Sequence, residues 1–115
     1  MITNKTTKKV ISQKEKYCRN IFSQTLGLMF SRRKNLVMVF NKERTISLHN
    51  FFVFFPLDIL VLDENKKVVE IKENFQPFTF WNAKKKGKYL VELADKRSKN
   101  KVKIGNIMNF VLNEW

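Results

Sequence analysis

The sequence predicts a mainly β fold, a β-rich α+β domain. It would be a small barrel- or sandwich-like antiparallel or mixed sheet of about seven short strands with one N-terminal helix. Three observations carry this. Apolar runs of strand length recur from Leu36 onward, separated by turn-forming Asn, Asp, Gly and Pro. Helical periodicity occurs over one stretch, between Ser12 and Gly27. The length of 115 residues, 43% hydrophobic and 13% aromatic, suits a single domain over 1–115 rather than a disordered chain.

In chain order, residues 1–7 are polar and basic and are expected to be flexible. Lys8 to Ile11 reads as a short first strand. Ser12 followed by Glu15 has the spacing of a capping box, and Tyr17, Cys18, Ile21, Phe22 and Leu26 then fall on one helical face. Gly27 supplies the helix stop. Leu36 to Phe40 is an apolar strand. Thr45 to Phe55 is longer and becomes apolar on both sides from Phe51, as a central or barrel-lining strand does. Pro56 lacks an amide hydrogen and ends that strand or marks a bulge. Leu57 to Leu62 and Lys67 to Glu73 form a hairpin across the Asp63-Glu64-Asn65-Lys66 turn. Phe75 to Trp81 is expected to be extended, at an edge because of Pro77. A basic loop, Lys84 to Lys88, leads into a strand ending at Leu93. Asp95 to Lys103 is a charged connection, and Ile107 to Leu112 a closing strand.

Four segments, Gly27-Leu28-Met29-Phe30, Pro56-Leu57-Asp58-Ile59, Val68-Val69-Glu70-Ile71 and Tyr89-Leu90-Val91-Glu92-Leu93, occur in the order found in the DUF192 family, which the chain resembles from the helix to Gly105. The resemblance implies a small β-rich domain of unknown function. It implies structural-motif positions at Gly27, Met29, Pro56, Asp58 and Glu92. Where the bacterial pattern carries an aromatic-Met-Lys-Asn-Thr stretch, this chain reads His49-Asn50-Phe51-Phe52-Val53-Phe54-Phe55, an apolar variant similar to archaeal members. The family's cysteine after the Pro-rich turn is absent, since Pro77 is followed by Phe78-Thr79-Phe80-Trp81. No role resting on that cysteine or on the Lys-Asn-Thr group carries over.

Composition narrows the chemistry. Cys18 is the one cysteine, so neither an intrachain disulfide nor a cysteine zinc cluster can form. The basic N-terminus has no apolar stretch behind it, and the run from Phe51 to Leu62 is broken by Pro56 and Asp58. The expectation is a soluble, cytoplasmic protein without signal peptide or transmembrane segment, and a monomer. Gly27, Gly87 and Gly105 do not cluster into a phosphate-cradling loop, and Asp63-Glu64-Asn65 lacks the later Glu of a calcium loop. No metal or cofactor is expected.

The net charge of +13 points to nucleic acid or another polyanion as a partner. It also fits compositional drift, because Lys far outnumbers Arg. Asp58, among Phe54, Phe55, Leu57 and Ile59, reads as a raised-pKa acid or ligand anchor, or more simply as a carboxylate capping backbone amides. His49 with Ser47 on its strand face is a weak acid–base pair, because no nucleophile elbow accompanies it. Phe75, Phe78, Phe80 and Trp81 lead into Lys84, Lys85, Lys86 and Lys88, the aromatic-plus-basic order of single-strand binders. Arg32-Arg33-Lys34 and the run Lys96 to Lys103 would extend such a surface. Alternation puts Phe78 and Phe80 on one face, expected to be core, with Trp81 on the other.

Three functions follow in order of expectation. The first is a non-enzymatic binding or accessory domain holding an apolar ligand or peptide near Phe54 and Asp58. The second is a basic nucleic-acid module. The third is an enzyme using Asp58 and His49.

Overall fold

The computed structural model describes residues 1–18, 35–49, 55–94 and 101–111. Ten strands run in chain order as β1 (Ile2–Asn4), β2 (Lys9–Ser12), β3 (Glu15–Cys18), β4 (Asn35–Arg44), β5 (Ser47–His49), β6 (Leu57–Leu62), β7 (Val68–Phe75), β8 (Phe80–Asn82), β9 (Gly87–Leu93) and β10 (Met108–Asn109). They form a five-stranded mixed sheet in the order β3-β4-β9-β6-β7, a three-stranded sheet β10-β1-β2, and a two-stranded ribbon β5-β8. The β-rich class expected from the sequence is borne out. The barrel is not: the five-stranded sheet ends at β3 on one side and β7 on the other.

The central strands explain the layering. All six residues of β6 are buried, and β6 pairs with β7 and β9. Side chains alternate across a strand, so such a strand needs cover on both faces. On one face Leu36, Met38, Leu57, Ile59, Val61 and Leu90 pack with Ile46 and Ala83, and with Trp81 of the ribbon. On the other, Val37, Leu60, Leu62, Tyr89, Val91 and Leu93 pack with Ile2, Ile11 and Met108 of the three-stranded sheet. The five-stranded sheet is thus the middle of three layers.

Two sequence expectations are corrected at the N-terminal end. Residues 1–7, expected to be flexible, contribute β1, where Ile2 is fully buried. Asn4 fixes the turn after it, its Oδ1 accepting from the amides of Thr6 and Thr7 at 3.0 and 3.2 Å. The expected helix does not begin at Ser12. Glu15–Cys18 is a strand parallel to β4, pairing Glu15 with Asn35 and Tyr17 with Val37. The capping-box side chains are otherwise engaged. Ser12 Oγ donates to Lys14 O and accepts from Asn35 Nδ2 at 2.8 Å, while Glu15 Oε2 accepts from Tyr17 Oη and the Met1 ammonium, both at 2.7 Å. Burial of Glu15 and Tyr17, two apart, imposes the strand period over the helical one. The rest of the expected helix, including Ile21, Phe22, Leu26 and Gly27, lies outside the described residues.

The hairpin of β6 and β7 forms as expected, closed by Asp63, whose Oδ1 accepts from the Asn65 and Lys67 amides at 2.8 and 3.0 Å. The closing strand is shorter than expected, being β10 plus an isolated bridge between Lys67 and Ile107. Among the described residues no helix is long and apolar enough to cross a membrane.

Candidate functional site

The ribbon and the turns around it bring together the most unusual surface among the described residues. After Phe75, which is buried, the chain turns through Gln76 to Thr79, with Thr79 Oγ1 donating to Gln76 O at 2.6 Å. Phe78 sits in this turn with φ 62°, a left-handed conformation that costs a bulky side chain roughly 1–2 kcal/mol. The residue is nevertheless 60% exposed, and Phe80 is 72% exposed. Trp81, between Phe80 and Asn82 on β8, packs against the core instead. The expected extended run from Phe75 to Trp81 is therefore corrected: Phe78 lies in a turn before β8, and the aromatic alternation is reversed in sense. Phe78 and Phe80 are exposed rather than core, because the ribbon lies over the middle sheet and turns Trp81 inward.

The basic loop follows directly. Lys84, Lys85 and Lys86 are exposed and Lys88 is half-buried. Glu70 Oε1 on β7 accepts from the amides of both Lys84 and Lys85 at 2.8 Å. One carboxylate oxygen thus pins the loop backbone while leaving the lysine ammoniums outward. Gly87 ends the loop in a space that admits no side chain. A Cβ there would collide with Val61 Cγ1 and lie 3.2 Å from both Ile46 Cδ1 and Leu62 O. Sequence reading gave Glu70 no role beyond its place in the Val68-Val69-Glu70-Ile71 segment. No local signal marks an interaction between residues fourteen positions apart.

The other candidate residues fall elsewhere. Asp58 is 3% exposed, and its Oδ1 accepts from the Asn74 amide at 2.9 Å. Asn74 has φ 54° and sits where the β6–β7 register shifts, between the Leu57–Phe75 and Ile59–Lys72 pairs. Asp58 therefore holds a bulge closed. The bulge is on β7, not at the Pro56 bend; Pro56 itself is half-buried immediately before β6. Asp58 pairs across with Leu93 on the face covered by the three-stranded sheet. His49 belongs to β5 opposite Phe80, in the ribbon that covers the other face. The structure thus separates these two positions by the thickness of the middle sheet. Glu92 is buried on the ribbon side, paired across with Leu36 and Ile59. Phe54, Gly27, Met29 and the Arg32-Arg33-Lys34 cluster lie outside the described residues. Of the Lys96 to Lys103 run, Lys101 and Lys103 are described. They flank Val102, which packs with the three-stranded sheet, away from the ribbon.

Lys66, at the β6–β7 turn, is a described group whose titration is displaced. Its Nζ donates to Phe110 O at 2.8 Å and lies 4.5 Å from the Phe110 ring centroid and 6.0 Å from that of Tyr89. Burial there holds its pKa below the usual lysine value.

Comparison with known proteins gives a consistent family. The DUF192 family model, described as "Uncharacterized ACR, COG1430", matches residues 2–110. The chain is 31% identical over 96 residues to a UPF0127 protein of Thermococcus sibiricus, covering 80% of this chain and 62% of that protein. It is 34% identical over 92 residues to a UPF0127 protein of Pyrococcus furiosus, covering 77% of this chain and 78% of that one. The chain thus spans less than two thirds of the Thermococcus protein's length. Two crystal structures share the fold at a TM-score of 0.72 and 20% identity. One is a candidate transcription regulator of Sinorhizobium meliloti, with 81% of this chain and 78% of that chain covered. The other is a protein of unknown function of Novosphingobium aromaticivorans, with 82% and 72% covered.

Proposed function

We propose that this chain, which belongs to the DUF192 family, is a binding domain for single-stranded nucleic acid, using Phe78 and Phe80 as stacking platforms beside Lys84, Lys85 and Lys86. The observation that carries this reading is the display of Phe78. It combines an unfavourable backbone conformation with a largely exposed aromatic residue, two positions from a second exposed one. Backbone strain of that kind persists where surrounding structure imposes it, and it concentrates at functional sites. Bases stack on exposed aromatics regardless of sequence, and nearby cations track the phosphates. The pinning of the Lys84 and Lys85 amides by Glu70 supports the same reading, since it fixes the loop backbone and leaves the lysine residues exposed.

Two other readings receive less support. An apolar ligand or peptide near Phe54 and Asp58 would need Asp58 as an anchor, and its carboxylate is already bound to the Asn74 amide. An enzyme using Asp58 and His49 would need them in one cleft, whereas Asp58 is on the face of the middle sheet opposite the ribbon that carries His49.

Fluorescence anisotropy with labelled oligo-dT and oligo-U across a salt series tests the proposal. Binding should be micromolar or tighter and should weaken as salt rises, by about 0.7 in the log–log slope for each phosphate contacted. Replacing Lys84, Lys85 and Lys86 with Glu should abolish it. Phe80→Ala should weaken it by roughly 5- to 100-fold, the range of one lost stack. Absence of binding at low salt overturns the proposal.

A further inference from the structure

The far end of β4 carries cations that sequence reading passed over. Between the Val39–Tyr89 and Arg44–Gly87 pairs, residues 40–43 of β4 stand against residue 88 alone of β9. The surplus breaks the register as a large bulge does, a device that re-aims side chains and terminates pairing at sheet margins. All four residues from Asn41 to Arg44 are exposed. The register sets Arg44 directly opposite Gly87, the residue that follows the Lys84–Lys86 loop. The guanidinium of Arg44 lies 5.2 Å from the Phe40 ring centroid, and its Nε donates to Thr45 O at 3.4 Å. Phe40 packs against the core on the ribbon side, so the stack aims Arg44 toward the side that carries the aromatics and the loop.

The acids here are turned away from the cations. Glu43, between Lys42 and Arg44, accepts from the Glu64 amide at 3.0 Å through its Oε2. Glu70 is likewise spent on backbone amides. Among the described residues, none of Lys42, Arg44, Lys84, Lys85, Lys86 and Lys88 forms an ion pair. Two segments rich in cations therefore meet at Gly87, and in each the nearby carboxylate bonds the backbone rather than a lysine or arginine head group.

We infer that Lys42 and Arg44 form a second phosphate-binding station, so that the ligand is an extended polymer. It would run from Phe78 and Phe80, past Lys84–Lys86, to the β4 bulge. This rests on the nucleic-acid reading above and adds its direction and reach. A mononucleotide or a very short oligomer occupies the aromatic end alone. A longer strand engages both stations, and Arg44, stacked on Phe40, presents its remaining donors to a phosphate with little ordering left to do.

The experiment compares labelled oligo-dT of about 4 and about 12 nucleotides, within the range of single-strand site sizes. Each is titrated against the wild-type protein and the K42Q/R44Q and K42E/R44E variants. The longer oligomer should bind wild type at least tenfold more tightly than the shorter. The Gln pair should remove most of that advantage and lower the salt slope by about 1.4, two contacts at roughly 0.7 each. Affinity for the short oligomer should stay unchanged. R44K, which keeps the charge but loses the stack, should retain more than half of the advantage. Equal affinity for both lengths, or variants that weaken both oligomers alike, overturns the second station while leaving the aromatic site standing. Failure of wild type to bind either oligomer overturns both. Unchanged thermal midpoints for the Gln pair exclude unfolding as the cause.

Discussion

Gly87 shows how one absent methyl group sets the geometry of the proposed site. Its backbone closes against Val61, Ile46 and the Leu62 carbonyl, and this brings the basic loop and the Arg44 bulge to the same point. Gly87→Ala forces the core to shift and should destabilise the protein by about 1–3 kcal/mol, read as a lower urea midpoint. Phe78 is the opposite case, a large side chain where glycine would sit more easily. For Phe78→Gly, relief of the left-handed conformation and the greater freedom of the unfolded chain nearly cancel. Stability should remain within ~1 kcal/mol of wild type while oligonucleotide binding falls. A parallel loss of stability and binding would show instead that the ring serves packing. Such a residue was legible in the sequence as an aromatic beside lysines. Its exposure was not, because Phe78, Phe80 and Trp81 look alike to any alternation argument until a neighbouring layer decides which side is covered.

At the scale of elements, local signals worked where a strand's environment is set by its own neighbours in sequence. The β6 boundaries, Leu57–Leu62, match the apolar run, and the Asp63 turn closes the hairpin with the side chain the sequence offered for it. They failed at Ser12 to Cys18, where the partner is remote. β3 is a strand because β4, beginning at Asn35, lies parallel to it. Parallel strands need a connection of about a dozen residues or more, and the sequence separation between Cys18 and Asn35 is long enough for one. The Lys66 latch is another remote pairing, tying the hairpin turn to the Phe110 carbonyl. Because burial lowers the folded-state pKa of Lys66 below the 10.5 of the unfolded chain, the unfolded state binds more protons in the interval between the two values. Stability from this group therefore rises as pH increases toward 10.5. Relative to Lys66→Met, the wild-type urea midpoint should gain as pH rises through the alkaline range toward 10.5. A constant difference across that range would mean the amine titrates alike in both states.

For the whole molecule, the three-layer arrangement gives the buried polar groups their roles. Asn35, buried at the start of β4, donates to Ser12 Oγ and accepts from the Ala94 amide at 2.9 Å, tying the middle sheet to the end of β2. Asn4 donates to the Lys101 carbonyl and to Asn106 Oδ1, both at 2.9 Å, and so joins the first strand to a loop almost a hundred positions away. The sequence by itself determined the β-rich class, the family, the hairpin of β6 and β7, and the proximity of Phe78 and Phe80 to Lys84–Lys86. Each of these depends on composition, period or short separation, which a chain carries locally. Only the tertiary structure decided that the sheets stack rather than close, that Asp58 and His49 belong to opposite faces, and that Glu70 and the β4 bulge flank the basic loop. Those outcomes depend on which strand lies beside which and which face is covered. That is a matter of pairing between distant segments, where burial of apolar surface overrides local preference.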